Sequence, residues 1–239
     1  MKKLLGIVVL GLLWCNVVQA LPKCKGEDYS KWTNCVGAYT NDKHKYTGEF
    51  GNDPGKRHGK GIVIKKKLEP ILDVVTYKGQ WKNDKPNGYG TFTVKSLGYK
   101  YTGKFKDGLR HGHGREFSYL KPNDPSGFDS YVGEFKNGTR NGKGTSEGKI
   151  EIEHKGKKYK TTLNYTGDWK NSIWHGQGKL IFNSKIQQIN IEGEFKEGQV
   201  NGQATVYKNG KLFGKGIWEN DRLIDSTKDL RLGLKLDTN

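Results

Sequence analysis

The chain has 239 residues and a formal net charge of +17, with 42 Lys and Arg against 25 Asp and Glu. Only 33% of its residues are apolar, while 34 are glycine. Such a composition would starve a layered globule of core, but it suits a single sheet with one aromatic and one wet face.

The N-terminus reads as a leader. Lys2-Lys3 precede an apolar run from Leu4 to Trp14, and Val18-Gln19-Ala20 offers a small-x-small cleavage site. These features predict a Sec-type signal peptide over residues 1–20, too short and wrongly flanked for a stable membrane span. Bulky Trp14, just ahead of Cys15, argues against a lipoprotein. The expected destination is the periplasm or exterior of a bacterial envelope, with no transmembrane span in the mature chain. Without Lys2 and Lys3 the net charge falls by two, to +15. Residues 21–45 are an expected cap. Its Cys24 and Cys35, the two cysteines that outlast cleavage, are expected to pair in an oxidising compartment. Their bridge would staple the cap over the open first edge of a sheet.

From Tyr46 to Tyr207 one phrase recurs six times: aromatic-x-Gly-x-aromatic, a tight polar turn, then (His/Asn)-Gly-x-Gly. The copies begin at Tyr46, Tyr77, Tyr101, Tyr131, Tyr165 and Ile191. From the second copy on, nine residues separate the first glycine from the next, as from Gly133 to Gly142, while the links between copies vary. A rigid unit with free connections means one supersecondary element stacked into an array.

The pitch of that unit is a hairpin's. Tyr131, Gly133 and Phe135 lie two apart on one strand face, and Asn137-Gly138 supplies a two-residue turn. Counting outward from the turn places Gly133 opposite Gly142, Gly103 opposite Gly112 and Tyr131 opposite Gly144. It likewise sets Tyr46 against Gly61, Tyr77 against Gly90, Tyr101 against Gly114 and Tyr165 against Gly178. In copy six Ile191 would face Ala204, so a smaller residue on one strand accompanies a larger one on the other. The expected fold is all-β: an elongated, twisted, single-layer antiparallel sheet of successive β-hairpins. Six hairpins at ~4.8 Å per strand make an array on the order of 60 Å long.

Inserts at 65–76, 118–130 and 145–164 are the variable connections. Residues 208–239 read as a degenerate terminal half-repeat and tail, with Gly216-Ile217-Trp218 and Asn220-Asp221 standing in for a seventh copy.

These columns resemble the MORN-repeat family, whose pattern reads roughly YxGxWxxGxxHGxGxxx. Tyr101 to Phe117, YTGKFKDGLRHGHGREF, is similar almost position for position. The resemblance implies an elongated sheet of hairpins that serves as a module for binding proteins or membranes, with no inherent catalysis. Small exported bacterial proteins of this family look similar, with a Cys pair just ahead of the first repeat.

Two uses of the surface follow. In the first, the chain is a scaffold of the cell envelope that binds a protein partner, or a second copy of itself, through its aromatic face. That face comprises Tyr46, Phe50, Tyr77, Trp81, Tyr101, Phe105, Tyr131, Phe135, Tyr165, Trp169 and Phe195. In the second, it is a peripheral binder of anionic lipid or envelope polymer. The candidates for that role are Lys65, Lys66 and Lys67 in one insert and Lys155, Lys157, Lys158 and Lys160 in another. The lysines keep to no column, which favours the first use. Nucleic acid is not an expected partner in that compartment.

No enzyme, cofactor or metal site is expected. His58, His111 and His175 alternate with Asn87, Asn141 and Asn201 at one structural position. Asparagine can replace histidine in a local hydrogen bond but not as a general base or zinc ligand. The count sets His175 opposite Asp168 and His58 opposite Glu49, as cross-strand charge pairs on the polar face. The Gly-x-Gly element follows a hairpin rather than leading into a helix, so it is no phosphate loop.

Overall fold

The computed structural model describes residues 20–69, 72–122, 124–224 and 230–232, and side chains between 66 and 73 are outside that description. The predicted leader lies outside the described residues. Six repeats form six hairpins. They are β2 (His44–Phe50) with β3 (Arg57–Glu69), β4 (Leu72–Lys82) with β5 (Lys85–Val94), and β6 (Tyr99–Lys106) with β7 (Leu109–Lys121). Then follow β8 (Asp124–Lys136) with β9 (Thr139–His154), β10 (Lys157–Lys170) with β11 (Ile173–Ser184), and β12 (Gln188–Lys196) with β13 (Gln199–Lys208). Strand β1 (Cys35–Thr40) precedes them, and β14 (Lys211–Glu219), β15 (Arg222–Leu223) and β16 (Leu230–Arg231) follow. All sixteen join in sequence order into one antiparallel sheet.

The turns obey the sequence. Asn137-Gly138, Asp107-Gly108 and Asn83-Asp84 have positive φ at both positions, as do Asn171-Ser172 and Glu197-Gly198. That is the mirror-image turn whose twist matches the strands it joins. Beyond the turn the counted register fails. Phe135 pairs with Arg140, as counted, but Gly133 pairs with Gly144 and Tyr131 with Ser146. Similarly Gly103 pairs with Gly114, and Tyr46, Tyr77, Tyr101, Tyr165 and Ile191 pair with Val63, Phe92, Glu116, Leu180 and Val206.

The cause is a bulge common to every repeat. Three residues of the second strand, such as Asn141 to Lys143, oppose the single Glu134, which shifts the register by two. Its pivot is the glycine after His or Asn: Gly142 has φ 99° and its counterparts Gly88 and Gly112 have 95° and 61°. Only a residue without Cβ adopts this backbone cheaply, so the His/Asn-Gly signature marks a bulge and not a plain strand. On the turn side of the bulge the count holds, and Asp168 faces His175 and Glu49 faces His58.

The aromatic-to-glycine contact survives in diagonal form. A methyl built on Gly144 would overlap the ring and hydroxyl of Tyr131, and Gly61, Gly90, Gly114 and Gly178 stand in the same relation to their tyrosines. Ala204 holds that position where Ile191 has no ring to reach it, and its direct partner is Gly193.

The core is a herringbone of rings along one face. Within hairpins, Tyr46–Phe50, Tyr77–Trp81 and Tyr131–Phe135 meet edge to face at 5.5, 4.9 and 5.1 Å. Between hairpins, Tyr46–Trp81, Tyr77–Phe105, Tyr101–Phe135, Tyr131–Trp169 and Tyr165–Phe195 do the same at 5.0–5.7 Å. Such pairs add to the burial of each ring. Trp81 and Trp169 also donate Nε1–H to the Gly61 and Gly144 carbonyls one repeat back. Trp218 does so to Ala204, which makes β14–β15 the seventh half-repeat.

At the N-terminal edge Cys24 and Cys35 are disulfide-bonded. The segment they tether lies parallel to β1, with Cys24 N–H donating to the Val36 carbonyl and Val36 N–H to that of Pro22. Trp32 closes the end of the herringbone, 5.1 Å edge-on to Phe50.

Candidate binding faces

The sheet has two faces and two long margins, and each repeat places the same columns on them. On the ring face, each tyrosine hydroxyl donates to the carbonyl three residues on: Glu49, Gln80, Lys104, Glu134 and Asp168 in turn, at 2.8–2.9 Å. Those are the residues opposite the bulge, where the ladder leaves carbonyls in need of donors. Burial raises these tyrosines well above the ordinary phenol range, with Tyr101 and Tyr131 pushed to about 12, so they stay protonated donors. The side chain opposite the bulge serves it too. Gln80, Glu134 and Asp168 accept the backbone N–H of Tyr89, Lys143 and Gln177. Asp168 thus caps its bulge while still facing His175 across the ladder. Asp168 also takes the Lys143 ammonium at 2.9 Å, which holds its carboxyl below the usual range.

A second column links one repeat to the next. Arg57 stacks 4.3 Å from the Trp81 ring and binds Asp84 in the following turn. Arg110 lies 5.4 Å from Phe135, and Arg140 lies 5.5 Å from Trp169. The backbone repeats the link at every turn: Asp84, Gly108, Gly138, Ser172, Gly198 and Asp221 donate N–H to the preceding repeat at 2.9–3.1 Å. In the middle of the array Arg110, Arg140 and the Tyr99 hydroxyl converge on Glu116, and Arg140 also binds Asp129. Glu116 replaces the apolar partner that Tyr46, Tyr77 and Tyr165 have, and its two arginines compensate its burial.

These contacts change the status of the predicted aromatic face. None of its eleven members, Tyr46 to Phe195, is more than 7% exposed. With one layer of sheet the rings must bury one another, so they are core before they are surface. What the face presents instead is a trough of about 570 Å³ over repeats one to three. Val63, Val75, Tyr77, Trp81, Phe92 and Phe105 line it, with Lys43, His44, Arg57 and Lys65 also on its wall. A second trough, of about 360 Å³, lies between Leu120, Phe128, Leu163, Trp169 and Trp174.

The predicted lysine clusters do not converge. Lys65 is exposed on β3, and the side chains of Lys66 and Lys67 are outside the description. Lys155, Lys157, Lys158 and Lys160 sit at the tip of the β9–β10 arm, six strands away, where Lys158 is paired with Glu151 at 3.0 Å. The expectation that lysines keep to no column is overturned. Lys82, Lys106, Lys136, Lys170 and Lys196 all occupy the position just before a turn, and all are exposed. The column is legible in the sequence, where lysine follows the second aromatic of every repeat from the second on.

Four segments, residues 77–94, 101–118, 131–149 and 165–185, match the MORN repeat family. The chain carries MORN repeats. The matched segments begin at the tyrosines of the second to fifth hairpins, and the first and sixth hairpins have similar columns in sequence. MORN repeat-containing protein 3 of Xenopus laevis is 32% identical over 88 residues, covering 35% of this chain. The chain matches about a third of that MORN protein's length, 34%. MORN repeats generally serve as modules for interaction with proteins or membranes. Among the described residues, no helix is long and apolar enough to cross a membrane.

Proposed function

We infer that this chain is a non-catalytic, exported interaction module whose ring face takes a segment of a protein partner. The trough over repeats one to three supports this reading. Its floor is apolar, and Lys43, Arg57 and Lys65 add cationic groups along it. Arg57 is held by Asp84, but Lys43 and Lys65 make no ion pair among the described residues. A trough of that kind suits an amphipathic segment with apolar side chains and carboxylates beside them. The rings supply a rigid floor that needs no reordering on binding.

The test is a peptide library selected on the full chain, with the winners titrated against Lys43→Glu/Lys65→Glu. Acidic, apolar peptides should dominate, shift Trp81 fluorescence, and lose most of their affinity for the charge-reversed chain. Winners of any other chemistry, or undiminished affinity for that variant, would overturn the reading.

A further inference from the structure

The face opposite the rings is not uniform along the array. Strand alternation puts Lys60, Lys78, Lys82, Lys85, Lys104 and Lys106 on it, all exposed, in repeats one to three. Among the described residues none of these six makes an ion pair. From repeat four onward the same face intersperses Glu134, Asp168, Glu192 and Glu194 among Lys136, Lys143, Lys170, Lys179 and Lys196, so the two signs are mixed there. There Asp168 pairs with Lys143 at 2.9 Å and Glu192 lies 3.9 Å from Lys179. The N-terminal half of this face is thus a block of uncompensated cations, bordered by Glu49, Asp107 and Glu134.

The block has more than charge. Tyr89 is 60% exposed at its centre, with the Lys104 ammonium 5.5 Å over its ring, beside a shallow depression of about 730 Å³ also lined by Thr47, Lys60, Ile62, Lys78, Gln80 and Thr91. The Thr91 and Thr102 hydroxyls meet at 3.2 Å on adjacent strands. From Lys60 on β3 to Arg115 on β7 the block spans ~19 Å by strand spacing.

We propose that this face binds an extended acidic polysaccharide. The lysines match its acid groups, the threonine and glutamine side chains match its hydroxyls, and the exposed Tyr89 ring with Lys104 beside it offers a sugar face and its carboxylate a joint platform. A phospholipid surface fits less well. Its headgroups would use the lysines without needing the strand-to-strand row that Thr91 and Thr102 form, whereas an extended polymer can lie along it. Polyphosphate and nucleic acid would use the lysines but leave the hydroxyl row without a role. The block is on the other side of the sheet from the ring-face trough, so this proposal and the peptide reading fail separately.

Titration calorimetry of the full chain would use heparin and polygalacturonate as probes, with neutral dextran as control. Binding to both acidic polymers, absent for dextran, should weaken steeply with salt. Lys78→Gln/Lys82→Gln/Lys104→Gln should cost about tenfold or more in affinity, and the matched set Lys143→Gln/Lys170→Gln/Lys196→Gln less than about threefold. Tyr89→Ala should weaken polygalacturonate binding and leave polyphosphate binding unchanged. All these side chains are exposed, and melting curves would verify that the variants stay folded. Equal losses from the two lysine sets would overturn the proposal, as would no effect of Tyr89→Ala. So would tighter binding to polyphosphate, duplex DNA or phosphatidylserine vesicles than to either polysaccharide.

Discussion

The hydroxyl of Tyr131 donates to the carbonyl of Glu134, three residues on, at 2.9 Å. Four other repeats contain the same bond. It makes each tyrosine both a core ring and the donor that completes a bulge. Tyr131→Phe keeps the ring and removes the donor, so it should cost about 1 kcal/mol, as for a hydrogen bond lost from a shielded acceptor. Urea midpoints of the two proteins would show it. An unchanged midpoint would mean that water serves the carbonyl equally well.

Gly144 lies under that ring, and a methyl there would overlap it. Gly144→Ala should therefore cost about 1–3 kcal/mol by overpacking. Copying the sixth repeat with Tyr131→Ile on top should recover part of that loss, with a coupling of about 0.5–3 kcal/mol in a double-mutant cycle. Strict additivity of the two changes would show that the isoleucine–alanine pair of repeat six is coincidental.

Reduction of the Cys24–Cys35 bridge should loosen the N-terminal edge. The bridge closes a short loop, and by loop entropy its loss costs about 2–3 kcal/mol. Hydrogen exchange should quicken first at the Cys24 and Val36 amides, which tie the tethered segment to β1. Protection that is the same in Cys24→Ala/Cys35→Ala would assign the edge's order to Trp32 packing instead.

Acid should act on the same end of the array through His44. Burial first, and then the neighbouring Arg57 and Lys65, hold its imidazole below the usual range. The folded state therefore binds this proton less readily than the unfolded chain does. Its contribution is complete above the unfolded value of about 6.5 and is lost as pH falls below it, through the lower folded value. Melting temperature should drop more over that window in the wild type than in His44→Asn. Parallel profiles would remove His44 from the account.

Much of this protein was legible without coordinates, because a repeat shows its own constraints several times over. The period, the Asn-Gly and Asp-Gly turns, the alternation of Tyr131, Gly133 and Phe135, and the paired cysteines all follow from local chemistry. That is enough to determine an open sheet of hairpins. The register beyond the turn was not legible. A bulge at Gly142 depends on how two strands satisfy each other's backbone, and counting residues outward assumes the ladder is unbroken. Nor could a column of aromatics reveal whether it was surface or core. Burial of Tyr46, Tyr131 and Tyr165 arises when rings from adjacent repeats close over one another, a contact between residues 30 to 38 apart in the chain. Lys78 and Lys143 read alike as exposed lysines in a strand. Only the pairing of β9 with β10, which sets Lys143 beside Asp168, separates the paired lysine from the unpaired one.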